Sequence, residues 1–302
     1  MTSRTRTRRL LSGLRRLWGG AAGRIGLVVA AAVVLTAGVA LVWTPFDPAQ
    51  VELDQRWLAP GWPHILGTDG TGRDLLSLIM AGAITTVKVA AGSAAIAAVV
   101  GIALAALGAL TARWMRESIA VVIDILIAFP VLLIAMMIAA VWGGSLGVVI
   151  WSVGIGFGVN IARVTRPELR RVLHSDFVLA GTAAGLTAWQ NLWRHLLPNV
   201  ASVFIVQLSW AMAVAVLAEA GLSYLGLGAP VTEPSWGVLL RDLQQYLTVH
   251  PLAVLWPGLA ITVTVLGLNL LGDGVREASD PTLAPRDGSA RRARTHIPEV
   301  VS

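Results

Sequence analysis

Few side chains in this 302-residue sequence could do chemistry. Lys88, Asp124, Asn160 and Glu219 interrupt or close long apolar runs. At membrane depth such groups are costly and usually face protein or water. Asp124 and Glu219 are the carboxylates so placed, and intramembrane carboxylates are what proton coupling commonly needs, so a proton-coupled secondary transporter is one reading. Asp124 stands near one end of its run and serves either structure, by reaching the interface, or a translocation path. Pro130 follows it in IDILIAFPVLLIAM. A proline removes one helical hydrogen bond, which predicts a kink. Lys88 lies close enough to a run's end to snorkel, and Asn160 reads as a hydrogen-bonding bridge between helices. Soluble-enzyme chemistry finds less support. GTDGTG at Gly67–Gly72 has the wrong spacing for a GxxxxGK[ST] phosphate loop. The histidines His64, His174, His195, His250 and His296 are scattered, and none pairs with a second ligand at metal-site spacing. Without cysteine there is no disulfide or thiolate site. Serine, histidine and aspartate sets can be picked out, but nothing brings them together. Catalysis in this chain is not expected; if ATP drives its work, another polypeptide hydrolyses it.

The elements that must hold these residues are membrane spans. The chain is 56% hydrophobic and 13% charged, with mean hydropathy +0.72. That is about half the charge of an ordinary soluble domain. A span needs about 20 apolar residues. The candidates are Ile25–Trp43, Ala83–Leu110, Ile119–Trp142, a short Leu146–Ile161, Val200–Ala218 and Leu252–Leu271. They lack the strict alternation of a barrel, so they read as helices, which gives an all-α polytopic protein with six transmembrane helices. Basic residues accumulate in cytoplasmic segments. With six spans, the N-terminus, residues 111–118, residues 162–199 and the C-terminal tail share one side and hold nearly every arginine. The other side has Arg56, Arg73 and Arg241. Both termini are therefore expected in the cytoplasm. The start resembles a signal peptide, but its apolar stretch is longer than a signal core, so an uncleaved first span is expected. Within Arg8–Trp18, Leu10, Leu11, Leu14, Leu17 and Trp18 share roughly one face. That segment is either a helix lying on anionic membrane lipid or a basic tail that enforces topology.

The stretch DFVLAGTAAGLTAWQNLWRHLLPN, Asp176–Asn199, is too polar to span and too apolar for a plain loop. Val178–Ala184 is helix-compatible. Gly185 can end that helix in a left-handed turn, and Leu186 or Thr187 starts a second. Trp189, Leu192, Trp193, Leu196 and Leu197 then form one apolar stripe at three- and four-residue spacing. Pro198 is expected to end it. Small residues at Ala180, Gly181, Ala183 and Ala184 permit another surface to approach closely. The hairpin either docks a partner or packs only on its own bundle. Ser235–Thr248 poses a similar question on the other side. Trp236, Leu239, Leu240, Leu243, Tyr246 and Leu247 line a face that meets the membrane, cups a pathway mouth or packs on the bundle.

This stretch resembles the cytoplasmic loop of binding-protein-dependent ABC importer permeases. In that family the loop opens Glu-Ala-Ala, places a Gly four residues after the second Ala, and closes with Leu-Pro. Aligned on Gly185 and on Arg194-His195-Leu196-Leu197-Pro198-Asn199, the family Glu falls on Leu179 and the alanines on Ala180 and Gly181. LGTDGTGRDLLS at Leu66–Ser77, DILIAFPVLL at Asp124–Leu133, AEAGLSYLGLG at Ala218–Gly228, PSWGVLL at Pro234–Leu240 and LGDGVREASDP at Leu271–Pro281 resemble the dipeptide, oligopeptide and nickel permeases, C-type subunit. Order and spacing hold over most of residues 25–281.

The resemblance implies a type I ABC importer permease fold. Residues 1–24 would be a basic cytoplasmic segment, 25–43 the first transmembrane helix and 44–82 an extracytoplasmic loop. Residues 83–272 would be the permease domain, with a cytoplasmic coupling loop at 162–199, and 273–302 a cytoplasmic tail. It implies ATPase coupling through Leu179, Ala180, Gly181, Ala184, Gly185, His195 and Pro198, and a pathway or gating role for Asp124, Pro130 and Glu219. The implied partners are a homologous permease, two cytoplasmic ATPase subunits that hold ATP and magnesium, and an external substrate-binding protein. Neither a cofactor in this chain nor a nucleic-acid partner is expected. The implied location is the bacterial inner membrane. Peptides lead as cargo; nickel, glutathione-like or other small solutes remain open.

Overall fold

A computed structural model describes residues 20–230 and 232–279; the amphipathic segment read at Arg8–Trp18 and the distal tail lie outside them. Among the described residues the elements are helical, with one isolated antiparallel bridge between Thr68 and Asp74. Helix α1 is Ala21–Ala40 and α2 is Leu75–Leu110. Helix α3, Arg113–Ile127, and α4, Val131–Trp142, follow. Helix α5 is Leu146–Leu173, α6 is Asp176–Ala183 and α7 is Ala188–Asn191. A π-helical turn, Leu192–Leu196, joins α7 to α8, Leu197–Tyr224. Helix α9 is Trp236–Leu243 and α10 is Pro251–Ser279. Among the described residues five helices are long and apolar enough to cross a membrane, or six when α3 and α4 count as one bent span.

Helix α2 has 36 residues, about 54 Å at 1.5 Å per residue, and is the centre of the bundle. It packs most extensively against α5. A Cβ on Gly154 would lie 2.7 Å from Ile96 Cβ, one on Gly158 2.6 Å from Val100 Cβ, and one on Gly101 2.7 Å from Ile161 Cγ2. Glycine is what lets these backbones meet, as in other membrane helix pairs. The paired positions rise together along both helices, so α2 and α5 run parallel. The chain must return between them, and α3–α4 makes that return. Helices α1 and α10 instead pair antiparallel. Gly26 lies against Leu271 and Gly20 against Glu277, so residues 20 and 279 lie at the same end of the bundle. That end carries Arg113, Arg116, Arg166, Arg170, Arg171 and Arg194, and is called the basic end below.

Several helix limits differ from the sequence reading. The expected kink at Pro130 is a full break, with α3 and α4 bent by 76° and Pro130 standing just before α4. The fourth span is not short. Helix α5 runs on to Leu173, so residues 162–173 are helix rather than loop. Likewise α2 begins at Leu75 and α10 continues to Ser279. Hydropathy marks where a helix leaves an apolar medium, and hydrogen bonding carries it further. Pro198 does not end the amphipathic helix, which passes through the π turn into α8. Proline lacks an N–H; the Asn199 side chain donates to the His195 carbonyl at 2.6 Å nearby.

At the opposite end, LGTDGTGRDLLS folds into a loop that satisfies itself. Asp69 accepts from the Thr71 and Arg73 N–H groups and from the Arg73 guanidinium at 2.8 Å. Asp74 caps α2, accepting from Ser77 N–H at 2.8 Å, and its other oxygen lies 3.0 Å from His64 Nδ1. The α9 face also resolves. Trp236, Leu239 and Leu243 are buried, and the Trp236 indole donates to the Ile79 carbonyl at 2.9 Å. The α9 part of that face packs on its own bundle, whereas Leu247 beyond it is 54% exposed.

Candidate functional site: an apolar hairpin at the basic end

Local rules build the hairpin that joins α5 to α8. Helix α6 closes on Gly185, with φ of 89°. Leu186 N–H bonds the Gly181 carbonyl and Gly185 N–H bonds that of Thr182, both at 3.0 Å. This is a Schellman closure, which favours a glycine at the left-handed position. Thr187 then opens α7 with a capping box. Its hydroxyl accepts from Gln190 N–H at 3.2 Å, and the Gln190 side chain accepts from Thr187 N–H at 2.9 Å.

The hairpin is anchored from beneath. Val178, Leu192, Leu196 and Val200 are fully buried among Ala105, Ala106, Ala109, Ile123, Leu169 and Val172. Asn191 is also buried and donates to Thr182 Oγ1 at 3.1 Å, tying α7 to α6. A Cβ on Gly181 would lie 3.0 Å from Asn191 Oδ1 and 3.6 Å from His195 Nε2. The small residue at 181 is therefore explained by what leans over it.

The upper side remains apolar and open. Leu179 is 56% exposed, Trp189 62% and Trp193 54%. The two indoles meet edge to face, 5.6 Å apart at 77°. Phe177, Ala180, Ala183, Ala184 and Gly185 are exposed beside them. The stripe expected from spacing thus divides, with Leu192 and Leu196 facing inward and Trp189 and Trp193 outward. Of the residues singled out from the sequence, Leu179, Ala180, Ala184, Gly185 and Pro198 are exposed on this element, while Gly181 and His195 are half-buried where the helices meet. Large apolar side chains are thus held outward on a capped element.

Residues 97–285 match the family described as binding-protein-dependent transport system inner membrane component. The chain belongs to this family. It is similar to a provisionally named peptide transport system permease protein of Brucella suis biovar 1, 37% identical over 273 residues, covering 89% of this chain and 90% of that protein. It is also similar to the dipeptide transport system permease protein of Alkalihalophilus pseudofirmus, 32% identical over 259 residues, covering 86% and 85%. The protein is thus an ABC importer permease, an all-α multi-pass membrane protein of a transport family rather than an enzyme family.

The permease does not bring Asp124, Pro130 and Glu219 into one site. Asp124 is exposed on α3, 4.0 Å from Arg163 of α5. Pro130 sits at the α3–α4 break. Glu219 is buried near the far end of α8 and accepts from Ser223 Oγ at 2.7 Å; the same hydroxyl accepts from Ala229 N–H at 2.8 Å. Glu219 therefore fastens the turn after α8. Asn160 is not a bridge between helices. Its amide donates to the Gly156 carbonyl of its own helix at 3.0 Å and lines a cleft. Sequence reasoning passed over Asn191, Gln207 and Asn269. Gln207 and Asn269 are polar residues in apolar runs, the same signal that singled out Asn160; Asn191 lies among other polar residues, and only its burial marks it.

Proposed function

We propose that this permease forms half of the translocation pathway of an ATP-driven importer of di- or oligopeptides. A homologous permease completes the pathway. Two cytoplasmic ATPase subunits bind ATP and magnesium and hydrolyse the nucleotide, and an external binding protein delivers cargo. The observation that carries the reading is the capped hairpin with Leu179, Trp189 and Trp193 facing outward. The names of the relatives support peptide cargo. The arginine-rich end supports a cytoplasmic hairpin and cytoplasmic termini in the bacterial inner membrane.

In this reading Leu179, Ala180, Ala184, Gly185 and Pro198 form or frame the docking face, and Gly181 and His195 set the angle between its two helices. Closure of the ATPases displaces the hairpin. Because α7 passes through the π turn into α8 without a gap, the displacement reaches the spans as a rigid-body movement. The α3–α4 break at Pro130, with Asp124 below it, is the hinge of the gate. Glu219 holds the outer turn. The test is uptake of a labelled dipeptide by proteoliposomes holding both permeases, the ATPases and the binding protein. Uptake should require ATP inside the cytoplasmic compartment. Uptake driven by a proton gradient with no nucleotide would overturn the proposal.

A further inference from the structure

A half-open cleft, apolar over most of its lining but carrying three carboxamides, lies between α5, α8 and α10, in the half of the bundle nearer the hairpin. Asn160, Gln207 and Asn269 line it, with Trp210 as an aromatic wall, and it encloses about 390 Å³. A second hollow of about 380 Å³ shares Val164, Val206 and Gln207 with it and extends to Arg276. The three carboxamides come from three helices and are not bonded to one another. Asn160 donates only to its own helix, and among the described residues the Gln207 and Asn269 side chains have no protein hydrogen bond.

Unpaired amides at membrane depth do not face hydrocarbon; they face water or protein. An apolar partner helix would leave them unsatisfied. A peptide backbone would not, because each carboxamide carries the donor and acceptor that a peptide unit requires. Such groups are neutral and contact the main chain, so they read no side-chain sequence. Asp273 and Arg276, one turn apart at the mouth, offer a charge of each sign for peptide termini. Gln207 and Trp210 lie on α8, the helix continuous with the docking hairpin, so hairpin displacement moves one wall of the cleft.

We propose that this cleft is a cargo site within the permease, where Asn160, Gln207 and Asn269 hold the backbone of an extended short peptide. The assignment rests on the peptide-import reading above. The test uses the complete transporter in proteoliposomes, with Asn160→Leu, Gln207→Leu, Asn269→Leu and the Gln207→Leu/Asn269→Leu double variant. Gln207→Met serves if a leucine variant fails to reach the membrane. Subunit retention, ATP hydrolysis and uptake of a labelled dipeptide are read separately. Retention should be unchanged, while the concentration for half-maximal uptake rises about tenfold in the double variant, as expected for two lost hydrogen bonds. Unchanged uptake with an intact complex would overturn the site. Loss of the partner permease would overturn it too, by making the cleft a subunit interface. Wild-type transporter that moves no peptide would sink the peptide reading itself, a result distinct from either.

Discussion

The loop's resemblance implies that Leu179 stands where related loops carry a glutamate, and in the proposed docking role its contact should then rest on packing rather than charge. Its side chain is 56% exposed in the free chain. Full burial of a leucine is worth roughly 1.5–3 kcal/mol, so covering that remaining fraction yields about 0.8–1.7 kcal/mol. In affinity this is roughly 4- to 17-fold. An exposed ion pair at the same place would contribute about 0–1 kcal/mol and fade with salt. Leu179→Ala should therefore weaken ATPase retention by up to that factor, and by the same factor at low and high salt. Leu179→Glu should weaken it as well, unless the partner's groove holds a basic residue there. The assay is ATPase retention on the purified permease across a salt series. If Leu179→Ala leaves retention unchanged at every salt, Leu179 lies outside the contact and either the alignment or the docking role is wrong.

Gly185 has φ of 89° and open space where a Cβ would stand. Gly185→Val thus meets no neighbour and costs only backbone strain, about 1–3 kcal/mol; transport should uncouple from ATP hydrolysis with membrane insertion intact, and normal uptake would show the turn to be dispensable. Gly181→Leu should push Asn191 and His195 aside and lower the thermal stability of the purified permease more than Ala180→Leu, which points to open surface; equal losses would refute the packing of Asn191 and His195 over Gly181. In this cysteine-free chain, Gly61→Cys and Gln245→Cys, both at exposed positions, should react with an impermeant thiol reagent from outside, and Gln190→Cys only after inner access is opened. Labelling of Gln190→Cys from outside would invert the proposed orientation.

Much of the site was legible because local rules govern it. Gly185 specifies a turn and Thr187 a helix start within a few residues, while the Gln190 half of the cap and the packing of Asn191 and His195 over Gly181 emerge only from the structure. The division of the stripe was not legible. Periodicity puts Trp189, Leu192, Trp193 and Leu196 on one side of a helix, but only the position of α2 and α5 decides which of them are covered. The spans were read from hydropathy, and for that reason most of their ends were read short, although the first was read to Trp43, past the helix end at Ala40. Helix α5 passes Ile161 on backbone hydrogen bonds that composition does not report. The parallel pairing of α2 with α5 depends on Gly101, Gly154 and Gly158 meeting large residues far away in sequence, which one chain's periodicity cannot supply. Asp124 and Glu219 looked alike as carboxylates in apolar runs. Their surroundings separate them, because Glu219 is buried against Ser223 and Asp124 is exposed near Arg163.

The central claim is that the hairpin at the basic end touches a nucleotide-hydrolysing subunit, and a crosslink tests it most directly. Ala184→Cys places a unique thiol beside the left-handed turn, on an exposed position, and can carry a photoactivated crosslinker in native membranes. The account predicts an adduct with a peripheral ATPase subunit, abolished when that subunit is stripped from the membrane. A cysteine at Gly61, exposed at the opposite end, should give no such adduct. Crosslinking of Ala184→Cys only to lipid or to the permease itself, with the ATPase present and transport active, would contradict it.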